Sequence, residues 1–289
     1  MRRGQDPSAK AQRENVKVAA KCLSDILKAG HQLVITHGNG PQVGLLAMQG
    51  AAFDPHVAHP FDMLSAETEG MIGYLIEQEL ENALNHDRPV ATLLTQVLVD
   101  AKDPAFLTPT KFIGQVYRED EARARAKAAE WQIAQDGEHW RRVVASPAPL
   151  EIPDLPVIRT LLHHGMVVIC AGGGGIPVVR LRNGSLMGVE AVIDKDASSA
   201  LLARELKADA LLLLTDVDAV YTNFGKPNAS AIRAVRRDDL GHLNLPSGSM
   251  KPKVKAAFDF ASSGAIAHIG RMEDAVDMLE GKAGTRVEG

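Results

Sequence analysis

The chain has 289 residues, 45% of them hydrophobic and 24% charged, with a net charge of −4 and a pI near 6.2, the profile of a soluble globular protein of one large domain or two moderate ones. That charge gives no electrostatic footprint for nucleic acid, and 4% aromatics leave few stacking platforms for bases. Two distant cysteines, Cys22 and Cys170, exclude a disulfide framework and point to reduced thiols in a cytoplasm, while no apolar stretch is long enough for a bilayer and no secretory signal follows the basic start Met1, Arg2, Arg3.

Residues 8–30 read as a helix, with Val16, Ala19, Ala20, Leu23, Ile26 and Leu27 at helical spacing and Gly30 as a stop. Residues 33–35 form a short buried strand that runs into a turn at 38–41. A helix over 66–84 and a strand over 90–99 follow. Residues 119–137, rich in mixed charges, read as an exposed helical excursion. The alternation then resumes: helix 157–164, strand 166–171, helix 197–206, strand 210–214, helix 253–263 and strand 265–269. Helices interleaved with all-apolar strands specify an α/β fold, with a parallel sheet covered on both faces.

Three strands end in distinctive turns: residues 36–44 (THGNGPQVG), 171–177 (AGGGGIP) and 214–221 (LTDVDAVY). In open α/β sheets ligands bind at the carboxyl ends of strands, and glycine there lets backbone N–H groups approach a phosphate. One such turn is equally a surface turn. Four consecutive glycines behind a buried strand carry more weight, since each costs backbone entropy. Lys111, Lys195 beside Asp194 and Asp196, and Lys253 are cations of the type phosphoryl transfer needs, although a lysine taken alone is more often a surface residue. No GxxxxGK[ST] and no protein-kinase HRD or DFG set occurs, which removes those two kinase classes. A Rossmann dehydrogenase is disfavoured because the first visible strand ends in GNGPQVG. His56 with His59, and His163 with His164, lack carboxylate or thiol partners at ligand spacing and read as loop histidines.

Taken together, the strings at 36–44, 66–74 (AETEGMIGY), 103–114 (DPAFLTPTKFIG), 141–147 (RRVVASP), 171–178, 188–202 (GVEAVIDKDASSALL), 215–227, 248–253 (GSMKPK) and 281–287 resemble the carbamate kinases, a branch of the amino-acid kinase superfamily. The resemblance runs in order along the whole chain. It implies an open, mostly parallel αβα sandwich: an acceptor half at 1–203 with a small protruding subdomain at about 115–145, and a nucleotide half at 204–289. It implies a cytoplasmic homodimer that moves a phosphoryl group between ATP and carbamate with Mg²⁺, in arginine and carbamoyl phosphate catabolism. Lys111, Lys195 and Lys253 match the family's phosphate-facing lysines, and Asp196 the acid that orients them. Gly38, Asn39 and Gly40, with Gly172, Gly173, Gly174 and Gly175, match the loops around carbamate and phosphate. Asp216, Asp218, Tyr221 and Met250 match the nucleotide pocket; Mg²⁺ is expected mainly through the nucleotide's phosphates, with no protein metal site.

Two departures accompany the resemblance. Lys251 stands where the family often has a small residue, adding charge beside the expected nucleotide pocket. The family also carries a short apolar strand and a Gly-Gly-Asn loop ahead of the segment that here reads Arg2, Arg3, Gly4, Gln5. Without that strand its neighbours are expected to show unpaired edges and an apolar gap, and one lost donor costs about 3 kcal/mol of barrier. Two further readings stay open: another superfamily kinase, acting on acetylglutamate, aspartate or uridylate, and a catalytically impaired nucleotide-binding homologue.

Overall fold

The computed structural model describes residues 8–54, 58–236 and 250–289. Helix α1 (Ala9–Lys28) starts where Ser8 accepts a hydrogen bond from the Ala11 N–H, and it buries Ala20, Leu23, Ile26 and Leu27 on one stripe. After β1 (Val34–Ile35) the chain turns directly into α2 (Gly40–Phe53). The sequence reads only a turn there, because Gly40, Gly44 and Gly50 lower helix propensity by about 1 kcal/mol each. Packing on β4 (Lys111–Tyr117) overrides that: a Cβ on Gly44 would stand 2.5 Å from the Gly114 Cα. Helix α3 (Phe61–Ala83) begins five residues before the apolar period does.

The strand expected over 90–99 is two strands, β2 (Val90–Thr92) and β3 (Gln96–Val99), which enter different sheets. The charged excursion is helical only over α4 (Glu119–Ala129), where Glu119–Arg123 and Glu121–Arg125 pair one turn apart. Glu130 then takes φ +54, and the chain returns as β5 (Gln132–Asp136) and β6 (His139–Val144). Arg123 lies over Trp140 and Arg125 over Tyr117, so the arginines that look solvated in the sequence cover this sheet instead.

The rest follows as β7 (Pro149–Glu151), α5 (Leu155–His163), β8 (Val167–Ile169), β9 (Ile176–Arg180), β10 (Leu186–Gly188), α6 (Lys195–Leu206) and β11 (Ala210–Thr215). Then come β12 (Val220–Thr222), β13 (Ser230–Ile232), β14 (Ala234–Arg236), α7 (Met250–Ala261), β15 (Ile266–Arg271), α8 (Ala275–Leu279) and β16 (Thr285–Glu288). The α/β class is as expected. The central strands pair in parallel, β1 and β2 flanking β8 and β11 beside β15, as does β3 with β9. Antiparallel strands close the edges of one sheet, β10 on β9 and β7 on β3, while in the other β16 pairs antiparallel with β15 and carries β14, parallel to it, at the edge. Strands β4, β6 and β5 form a separate antiparallel sheet.

Among the described residues both β1 and β11 are edge strands, and Ile35, the adjoining Thr36, Leu212 and Leu214 line one cavity of about 530 Å³. Val16, Leu23 and Ile76 add to its apolar wall. No described helix is long and apolar enough to cross a membrane.

Candidate active site

Because β1 and β8 are parallel neighbours, the turns that leave them lie side by side at the carboxyl ends. They interlock. The Gly173 N–H donates to the His37 carbonyl at 2.7 Å, and a Cβ on Gly173 would meet Asn39 Nδ2 at 2.1 Å. Gly173, Gly174 and Gly175 have φ of +67, +109 and +88, so backbone shape and lack of space both demand glycine. Asn39 is buried, its Nδ2 donating to Thr68 Oγ1 at 2.9 Å.

The free donors are not where the four glycines suggest. Gly172 donates to Glu69 Oε1, Gly173 to His37, Gly174 to the Ala171 carbonyl and Gly175 to the Gly172 carbonyl. All four N–H groups are consumed inside the protein, so this turn offers close approach rather than hydrogen bonds. Among the described residues, no acceptor takes the N–H of Gly38, Asn39 or Gly40. These sit at the N-terminus of α2, where unsatisfied N–H groups and the helix dipole favour an anion.

The lysines converge from three elements. Asp194 caps α6, its Oδ1 accepting from the Asp196 and Ala197 N–H groups at 3.0 and 3.2 Å, and its Oδ2 from Lys111 Nζ at 3.1 Å. Two residues on, Asp196 Oδ1 accepts from Lys195 Nζ at 2.7 Å and Lys253 Nζ at 3.0 Å, and its Oδ2 from Lys253 at 3.1 Å. Lys253 is 6% exposed at its side chain and Asp196 9%, whereas Lys195 is 41% exposed. Burial, then the Lys195 charge, push Lys253 below the ordinary lysine range. Burial opposes ionisation of Asp194, but the Lys111 charge and three hydrogen bonds prevail and hold it below the usual carboxylate range. Two ammonium groups on one carboxylate leave surplus positive charge beside Gly38, whose Cα carries no side chain where Lys195 Cδ would stand 3.2 Å from a Cβ. That corner is built for an anion.

Residues 7–270 match the Amino acid kinase family. The chain is 52% identical to the carbamate kinase of Rhizobium meliloti over 288 residues, covering 99% of this chain and 89% of that one. It is 51% identical to the carbamate kinase of Haemophilus influenzae, covering 99% and 93%. Among solved structures, carbamate kinase from Giardia lamblia bound to AMP-PNP superposes with a TM-score of 0.90 at 39% identity, over 100% of this chain and 94% of that one. The chain belongs to the amino acid kinase family.

In this family member the remaining predicted residues lie apart from the lysine cluster's hydrogen bonds, and two of them pair. Tyr221 donates to Asp218 Oδ1 at 2.8 Å, Arg233 reaches Asp218 Oδ2 at 3.3 Å, and Asp216 follows the carboxyl end of β11. No described hydrogen bond or ion pair joins this group to the lysines. Met250 is the first residue of α7, with Lys253 three further on, on the same face. Gly248 and Ser249 of the predicted string, and His56, lie outside the described residues. His59 pairs with Glu67, His163 and His164 touch edge to face, and no described group of three His, Cys, Asp or Glu side chains suits a metal.

The sequence reading assigned no role to Glu69, Thr95, Ser198 or Asp194 as a cap. Ser198 Oγ donates to the Gly174 carbonyl at 2.7 Å, tying α6 to the glycine turn. Glu69 left a signal: with Ser65, Ile72 and Ile76 it lies on the buried face of α3, where an unpartnered carboxylate does not belong.

Proposed function

We propose that this chain catalyses reversible phosphoryl transfer between ATP and carbamate, giving ADP and carbamoyl phosphate. The observation that carries the reading is the Asp196 carboxylate holding Lys195 and Lys253 at the start of α6, beside the donor-bearing turn at Gly38, Asn39 and Gly40. Charge spread over an in-flight phosphoryl group is stabilised by such fixed cations and N–H groups. Carbamate presents an oxygen that is already anionic, so no general base is required. Lys195, the exposed amine, contacts the transferring group; Lys253 and Asp196 hold it in place, and Lys111 approaches from β4.

The nucleotide lies towards Asp216, Asp218, Tyr221 and Met250, which makes residues 204–289 its half and residues 1–203 the acceptor half, with residues 115–145 protruding. Both oxygens of Asp194 and of Asp196 are already engaged, so these carboxylates are poor Mg²⁺ ligands and the ion fits as one carried by the nucleotide's phosphates. Bound that way, Mg²⁺ supplies charge neutralisation at the β and γ oxygens. A cytoplasmic homodimer completes the reading.

The test is ATP formation from ADP and carbamoyl phosphate by the purified chain, with acetylglutamate, aspartate and uridylate as alternative acceptors in the ATP-consuming direction. Turnover only with another acceptor overturns carbamate as substrate. ADP binding without turnover on any acceptor supports the silent homologue.

A further inference from the structure

Glu69 is 1% exposed, and the phosphoryl-transfer reading gives it no task. Both its oxygens are used: Oε1 accepts from the Gly172 N–H at 2.7 Å and Oε2 from the Thr95 N–H at 3.0 Å. These donors lie just beyond β8 and β2, parallel neighbours in one sheet, so a single side chain from α3 clamps two adjacent strand ends. Thr95 Oγ1 strengthens the tie by accepting from the Ala171 N–H at 2.9 Å. From there the contacts run towards the lysines. A Cβ on Gly172 would stand 2.3 Å from His37 Nε2, Gly173 is bonded to the His37 carbonyl and packed on Asn39, and Gly38 borders Lys195.

We propose that Glu69 is a positioning residue whose carboxylate locks Gly172 and Thr95, and through them sets where residues 37–39 present their N–H groups beside Lys195. Stability alone does not account for a carboxylate here, because burying one costs several kcal/mol more than burying a neutral amide. Two convergent N–H donors require two acceptor oxygens, which glutamine does not have. The effect on rate rests on the phosphoryl-transfer reading; the lock does not.

Burial raises the Glu69 carboxyl to about 8 against the Thr95 and Gly172 hydrogen bonds, with Asp154 adding to the rise. The titratable groups around it are Asp154, which accepts from the Gln96 N–H, Cys170 just after β8, whose thiol burial pushes up, and His37, which burial holds neutral down to about 4. Protonated, one Glu69 oxygen is a hydroxyl facing an N–H donor; ionised, both oxygens accept, so the two bonds take their full geometry as pH rises through about 8.

Steady-state kinetics, ADP binding and amide hydrogen exchange on wild type, E69Q and E69A test this. E69Q is expected to lower kcat about 10- to 100-fold, the penalty of a misplaced reacting geometry, while ADP affinity stays unchanged. Its kcat–pH profile should lack the rise near pH 8 seen in wild type, and peptides containing Thr95 and Gly172 should exchange faster. Wild-type kcat, profile and exchange in E69Q would overturn the proposal. If the wild type makes no ATP from carbamoyl phosphate, the substrate reading falls, and exchange at Thr95 and Gly172 still decides the lock. Should both variants fold poorly, the wild-type kcat–pH profile decides instead: a kcat that does not rise as pH passes through about 8 overturns it.

Discussion

Lys195 and Lys253 reach the same carboxylate from opposite surroundings, and substitutions should separate them. Lys195 is 41% exposed, so removing it leaves no hole and strands no buried charge. Lys195→Ala is expected to reduce kcat by at least about 100-fold, as for loss of one oriented transition-state contact, with the melting temperature within a degree or two. Stopped-time assays and thermal unfolding check this; near-normal turnover would remove Lys195 from the proposed role. Asp196→Asn should behave differently. Lys253 is 6% exposed and holds both Asp196 oxygens, so the amide strands a buried ammonium, at a cost of about 3–5 kcal/mol for breaking a buried pair. Activity and stability should fall together in denaturant titrations. An Asp196→Asn protein as stable as wild type would mean that Lys253 finds water or another partner. Part of this chemistry was legible in the sequence: the lysines and Asp196 stood out by type and by resemblance. Their convergence was not, because Asp196 and Lys253 are 57 residues apart and only the packing of α6 on α7 brings them together.

At the scale of elements, legibility followed how local the cause was. Strands β8 and β11 are almost wholly apolar runs between turn residues, and α1 and α6 carry an apolar stripe or a capping aspartate, so their own sequences specify them. Helix α2 is specified from elsewhere. Its Gly44 exists for β4, since Cβ would lie 2.5 Å from the Gly114 Cα and 2.6 Å from its N. The same holds for the 90–99 stretch, split because Thr95 turns to meet Glu69 and Ala171. In an open helix Gly→Ala would stabilise by about 1 kcal/mol; here overpacking against backbone reverses the sign, at about 1–3 kcal/mol. Gly44→Ala should therefore lower the melting temperature by several degrees. It should also reduce kcat, because moving α2 on β4 shifts Gly40 against Lys111, the first residue of that strand. A Gly44→Ala variant more stable than wild type would show that the two backbones do not need this approach.

For the molecule as a whole, two groups beside the glycine turn set opposing pH dependences. His37 is held neutral, its pKa pushed by burial from 6.5 to about 4, so the unfolded chain binds more protons across that window and stability falls as pH drops below 6.5. Glu69 is raised from 4.5 to about 8, so the folded state binds more protons and stability falls as pH rises from 4.5 through 8. Their slopes oppose one another below 6.5. Between pH 6.5 and 8 only Glu69 of this pair still titrates, and the loss it produces is at most about 2 kcal/mol. Subtracting E69Q from wild type isolates that contribution from every other titration. The difference in unfolding free energy, measured by urea titration at intervals from pH 6 to 9, should move against wild type as pH rises and level off above about 8. A difference that stays flat across this range would mean Glu69 is already ionised in the folded protein at neutral pH, its two N–H donors outweighing burial. On the proposed lock, the pH range in which wild type loses stability is the one in which it should gain turnover: ionisation that strains the interior is what draws Gly172 and Thr95 into place.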